Sequence, residues 1–309
     1  MMKRFVLGAA ALLASAGTAV AAPIVLPTGP IAVQFNNIEQ IDTSGANSIN
    51  CVTLGLTCSG GTTGNWGILK VSSMQLGFVN TPNEIISGGG TTFFADQFAG
   101  SGQVTGVFYD IDLLGACPAG TPPPPAGPSS CATGGVLDLY WNDNGVNVLG
   151  PPSTFAPTAA TVTAFTTGTF LARLNFAPGI QNNNITTVTS DINLIGNVSG
   201  QGTANSFSNV DLTKVGAWTN QLNTDYFFVD TNNNGIKGEV GETRDVRFRN
   251  TFNLATGNVP SWDSGAAIKG FTSTDPATTD IPAAVPEPAT LTLLGLGLLG
   301  ASVRRRKKA

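Results

Sequence analysis

Gln103-Val104-Thr105-Gly106-Val107-Phe108-Tyr109-Asp110-Ile111-Asp112-Leu113-Leu114 alternates side chains with a period of two. In an extended chain Val107, Tyr109, Ile111 and Leu113 share one face, and Asp110 and Asp112 take the other, which is the pattern of a half-buried strand. Asp245 to Leu254 repeats it, with Val246, Phe248 and Phe252 opposite Arg247 and Arg249. Further strands are predicted over Ile31 to Ile41, Trp66 to Val79, Val136 to Trp141, Thr161 to Leu174, Ile185 to Val198 and Asp225 to Val229. Asn144-Gly145 reads as a hairpin turn between Val136–Trp141 and Val146–Leu149. Long apolar runs of helical period are missing, and turn-rich segments recur between the strands. The fold class is therefore all-β, a single β-sandwich or jelly-roll-like domain. Pro151-Pro152 with Pro157 marks a subdomain junction or a loop. Acidic balance and Thr/Asn richness continue across it, which favours one domain.

Composition narrows the function classes. Charged residues are 11% of the 309 residues, against about 25% in average proteins. Two of the 15 Lys+Arg lie in the first four residues and five in the last six, and Glu287 is the one acid among the final two dozen residues. Between the two ends there remain 8 basic and 18 acidic residues, a net charge of −10 rather than the −4 of the whole chain. Such a domain does not bind nucleic acid by neutralising phosphates. The chain has no histidine, so neither a Ser-His-Asp nor a Cys-His arrangement can form. Cys51, Cys58, Cys117 and Cys131 are an even set, as expected of disulfides in an oxidising compartment. Proximity favours Cys51–Cys58 and Cys117–Cys131, although three connectivities exist. The spacings lack a C-x-x-C pair, which argues against zinc.

Both ends carry address signals. Lys3 and Arg4, an apolar run from Phe5 to Ala14 and Ala19-Val20-Ala21 form a signal peptide over 1–21, with signal peptidase cutting after Ala21. At the other end Val285-Pro286-Glu287-Pro288 precedes an uncharged apolar run over 289–303 and then Arg304, Arg305 and Arg306 with two lysines. The apolar run can form a short transmembrane helix, but its 15 residues reach only roughly 22 Å, less than a stable span of about 30 Å. The basic cluster keeps its end cytoplasmic. Gly295-Leu296-Gly297-Leu298-Leu299-Gly300 fits a dinucleotide pattern without the strand before it or the acid after it that the fingerprint needs. The predicted organisation is a signal helix at 1–21, an exported β-rich domain at 22–273, a flexible stalk at 274–285 and a tail at 286–309.

The tail resembles the bacterial PEP-CTERM sorting domain, on Val285, Pro286, Glu287, Pro288, the Leu/Gly run and Arg304 to Arg306. The resemblance covers about 25 residues and implies handling at the membrane by an exosortase, with Pro286, Glu287 and Pro288 as processing residues. It implies an inner-membrane intermediate and then the cell surface or extracellular matrix, near exopolysaccharide. The logic matches a GPI signal, in which an apolar tail is read and then removed.

Within the exported part, Asp230-Thr231-Asn232-Asn233-Asn234-Gly235-Ile236-Lys237-Gly238-Glu239-Val240-Gly241-Glu242 carries oxygen ligands at positions 1, 3 and 5 of a calcium loop, namely Asp230, Asn232 and Asn234. The closing acid is displaced by one residue, so Glu239 and Glu242 would complete a Ca²⁺ site; the alternative is an Asn-rich hairpin. Asp110 and Asp112 are a possible carboxylate pair. Trp66, Trp141, Trp218 and Trp262 could form a sugar platform or core packing. Thr161/Thr163 and Thr167/Thr169 lack the regular repeat of an ice-binding array. The expected function is that of a non-enzymatic surface or matrix protein without a cofactor. The alternatives are a calcium-dependent carbohydrate- or surface-binding module and a carboxylate-based polysaccharide hydrolase.

Overall fold

The structure is a computed structural model, and it describes residues 23–81, 84–86, 90–96, 102–118, 129–142, 149–196, 201–253, 256–272 and 277–283. The signal segment with Ala21, the Asn144-Gly145 turn and the tail from Pro286 through Arg306 lie outside the described residues. Among the described residues no helix is long and apolar enough to cross a membrane.

The main strands are β1 (Gly29–Asp42), β2 (Asn65–Leu76), β3 (Gln103–Leu114), β4 (Ser130–Asn142), β5 (Thr169–Ala177), β6 (Val188–Ser190), β7 (Gln201–Val210), β8 (Val246–Asn253), β9 (Ile268–Thr272) and β10 (Ala277–Ala283). All their pairings are antiparallel, and the sheet closes on itself. β1 pairs with β2 on one side and with β9 and β10 on the other. From β10 the ladder runs through β8 and β7 to β5, then through β4 and β3 back to β2. β6 sits beyond β5 in the same position, between β7 and β4. The result among the described residues is a barrel of eight strand positions, rather than the two facing sheets expected from the strand spacing. An eight-strand barrel has an interior that side chains nearly fill.

The inward faces supply most of the core. Ile31, Val33 and Phe35 of β1, Leu69 and Val71 of β2, Leu137 and Leu139 of β4, and Val246 and Phe252 of β8 belong to one buried cluster. Trp218 and Leu222, on a one-turn helix at Thr219–Leu222 and its start, close one end against Leu26, and Trp218 Nε1 donates to the Ile24 carbonyl at 2.7 Å.

A second cluster covers the outside of β1 to β3. Ile38, Trp66, Ile68, Val107 and Tyr109 pack under Val162 and Phe165 of α1 (Ala159–Phe165) and under Trp262. Trp66 and Trp262 stack with centroids 5.2 Å apart. The Cys51–Cys58 bridge lies in the same layer. Cys117–Cys131 ties the chain after β3 to the start of β4.

Several expectations change. Val107 and Tyr109 face outward whereas Ile111 and Leu113 face the barrel interior. The cause is a bulge at Asp110, whose φ is 59°, where the pairing of β2 with β3 shifts register. An extra residue moves every later side chain to the other face. Gly134 lies opposite with φ 69°, and a Cβ there would stand 2.6 Å from the Asp110 carbonyl oxygen.

Thr161 to Leu174 is not one strand. Thr158 caps α1 by accepting from the Thr161 amide, and Val162 and Phe165, three residues apart, share the buried face. Of the described residues in Ile185 to Val198 only Val188–Ser190 are strand, and of Asp225 to Val229 only Phe227–Phe228. The stalk expected at 274–285 contains β10, paired to β1 and β8. Trp66, Trp218 and Trp262 are at most 2% exposed and Trp141 5%, so they pack the core and form no sugar platform.

Candidate functional site

The segment from Asp230 to Glu242 projects from a small hairpin, Phe227–Phe228 paired with Thr243–Arg244. Its base rests on the barrel through Phe227 and Val229, which cluster with Phe207 of β7. The sequence forces tight turns here. Asn233 at φ 57° and Gly235, Gly238 and Gly241 at φ 80–85° occupy the left-handed region, which glycine and asparagine enter at least cost.

Hydrogen bonds within this loop link Asp230, Asn232, Asn234 and Glu239, while the Glu242 side chain bonds separately to Thr231 and the Asn232 backbone. Asp230 is buried, and its carboxylate accepts from the Asn234 amide at 3.2 Å and the Gly235 amide at 2.9 Å. Glu239 Oε2 accepts from Asn232 Nδ2 at 2.8 Å and from Asn234 Nδ2 at 2.6 Å. Asn232 Oδ1 and Asn234 Oδ1 accept from backbone amides two residues on, at 3.0 and 2.8 Å. Glu242 Oε1 accepts from the Thr231 amide and hydroxyl, each at 2.8 Å, and from the Asn232 amide. Those donors, the Thr231 amide foremost, hold the Glu242 carboxyl below its ordinary value.

Whether this set fits a cation turns on one atom. Glu242 is 3% exposed, and its Oε2 is buried without a hydrogen-bond partner. A buried carboxylate oxygen without a donor is costly, and a hard cation would relieve it. Against that, no three acidic or cysteine side chains among the described residues converge as a metal cluster. Neutral amide and carbonyl oxygens would have to supply much of the coordination, which sets affinity at the weak end.

Asp110 and Asp112 stand apart from the barrel cavity. Asp110 accepts from the Ser59 amide at 2.9 Å and the Ser59 hydroxyl at 2.8 Å. Burial, and then the charge of Asp110, push the Asp112 carboxyl upward. A cavity inside the barrel is lined by the intervening Ile111 and by Leu113, not by either aspartate.

Glu39 and Asn65 inside the barrel went unremarked in the sequence reading. Asn65 Nδ2 donates to Glu39 Oε2 at 2.7 Å. A signal was present: along β1 the inward positions read Ile31, Val33, Phe35, Asn37, Glu39, Ile41, so two polar residues interrupt a core face.

Among known proteins, the PEP-CTERM protein-sorting motif matches residues 284–307. No curated protein and no solved structure matches the chain. The motif implies export with processing by an exosortase during membrane transit. It begins directly after β10, so the sorting signal follows the barrel without a long spacer.

Proposed function

We propose that this chain is a non-enzymatic barrel delivered to the cell surface or extracellular matrix, where exopolysaccharide surrounds it. The observation that carries this reading is the sorting motif at 284–307 attached to the barrel. The acidic balance and the two disulfides suit an oxidising exterior. The lack of histidine and the placement of Asp110 and Asp112 away from the cavity support a role other than catalysis. Removal of residues 1–21 by signal peptidase and passage through an inner-membrane intermediate belong to the same reading. Fractionation of cells with and without the exosortase tests it. The protein is expected at the surface or in the matrix when the enzyme is present, and to stay with the inner membrane when it is deleted. Cytoplasmic protein in both strains would overturn the proposal.

The partnerless Glu242 Oε2 favours a second reading, a calcium-dependent surface- or carbohydrate-binding module. A cation held by Asp230, Asn232, Asn234, Glu239 and Glu242 would fasten the loop to its hairpin. With an extracellular-type Kd of about 10⁻⁴ to 10⁻³ M, calcium at about 10 mM should stabilise the fold by about 1.5–3 kcal/mol. Asp230→Ala should remove this response, and Asn233→Ala, at a non-ligand position, should keep it. Melting curves that do not move up to about 10 mM calcium would leave only the hairpin.

A further inference from the structure

The barrel interior is filled unevenly. Toward the end where Trp218 sits, the gap left among the side chains is only about 20 Å³. In the other half a space of about 110 Å³ remains, walled by apolar groups such as Phe35, Leu69, Phe108, Ile111 and Phe252. A dry apolar cavity of about 150 Å³ holds a benzene molecule. At about 110 Å³ the space here takes a smaller body, a ring or branched chain of about four to five non-hydrogen atoms.

Polar residues interrupt this apolar wall, among them Asn37, Glu39, Asn65, Ser130, Ser206 and Asn250. Glu39 and Asn65 both reach the cavity, and each is 8% exposed. Asn65 uses Nδ2 on Glu39, while its Oδ1 is buried with no hydrogen-bond partner. No lysine or arginine lines the space. Among the lining side chains the buried atom left without a partner is therefore an acceptor, Asn65 Oδ1, beside the Glu39 carboxyl. A hydrocarbon would leave that oxygen without a donor, an ionised carboxylate brings only further acceptors, and an alcohol brings one donor. A protonated amine brings three donors and a charge opposite to that of the carboxylate.

We propose that this half of the barrel binds a small primary amine with a compact apolar body, its nitrogen donating to Glu39 and to Asn65 Oδ1. Burial pushes the Glu39 carboxyl up to about 7 in the free protein, so a bound ammonium would draw it back toward the ionised form. The site is independent of the tail and of the Asp230 loop, and its test passes through neither.

The exported protein is titrated with cyclobutylamine, cyclobutanol and methylcyclobutane, which share one ring. The amine is expected to bind at least about tenfold tighter than the other two, a difference of about 1.4 kcal/mol. Glu39→Gln should erase that preference, and Ala204→Leu, which adds bulk at a lining position, should weaken all three. Should either variant fail to fold, the ¹³C shift of the Glu39 carboxyl in the unaltered protein decides. Near pH 6 saturating amine should move it to the ionised value. An amine that binds no tighter than the hydrocarbon, or a carboxyl shift that stays in place, would overturn the proposal.

Discussion

Asp138→Ala is expected to lower the stability of the barrel by about 3 kcal/mol. Arg173 on β5 grips Asp138 on β4 with two parallel bonds, Nε to Oδ1 and Nη2 to Oδ2, both 2.7 Å. Tyr109 on β3 donates to the same carboxylate at 3.1 Å and accepts from Arg173 Nη2 at 3.0 Å. The bond to Asp138 holds the guanidinium in its charged form, above its ordinary range. Burial, and then the carboxylate, push the Tyr109 phenol upward. One carboxylate thus joins three neighbouring strands. Removing it leaves a guanidinium and a phenol without their acceptor, and breaking such a buried pair costs about 3–5 kcal/mol. The low end applies because the Arg173 side chain is 25% exposed and can turn to water. Urea unfolding with the disulfides intact measures the loss, and the melting temperature should fall by about 6–12 °C. The double change Asp138→Leu with Arg173→Met should recover most of it, since an apolar pair of similar volume leaves no charge stranded. A loss below about 1 kcal/mol for Asp138→Ala, the level of an exposed ion pair, would show that the network is solvated.

Glu39→Gln should have the opposite sign and a pH dependence. The unfolded chain releases the Glu39 proton near 4.5, and the folded chain holds it to about 7 because burial penalises the charge. Folding therefore takes up a proton between those values. Stability falls as pH rises through that window and stays lowered above it. The gap corresponds to on the order of 3 kcal/mol. Near pH 4 the substitution should be close to neutral, since both states are protonated. Near pH 8 it should stabilise by on the order of 3 kcal/mol, because the amide still accepts from Asn65 and can donate to the partnerless Oδ1. Equal effects at both pH values would mean that Glu39 is ionised in the folded protein.

Much of the barrel could be read from local pattern. Alternation located β1, β2, β3 and β8 within a few residues because each has one face toward a core. Closure was not legible. It depends on β1 pairing with β2 and β10 at once, and those strands are far apart in sequence. The face switch at Asp110 was hidden because a non-glycine residue adopts the left-handed conformation there. α1 was misread because its β-branched threonines suit strands, whereas the Thr158 cap and the Val162–Phe165 spacing outweigh them. The cysteine pairs followed from proximity, and the structure forms Cys51–Cys58 and Cys117–Cys131. The loop from Asp230 to Glu242 was legible as a cluster of oxygens. Its actual bonds were not, because an asparagine side chain can present nitrogen or oxygen and only the folded loop selects.

Export with tail processing is the claim on which the functional reading rests, and intact mass tests it most directly. The exported chain is compared with a version carrying alanine at Pro286, Glu287 and Pro288. The unaltered protein should begin at Ala22 and show a mass set by exosortase processing, while the alanine version should differ from it by more than the three substitutions themselves account for. An unaltered chain that still begins at Met1, or two masses that are identical or differ only by the three substituted side chains, would contradict the account.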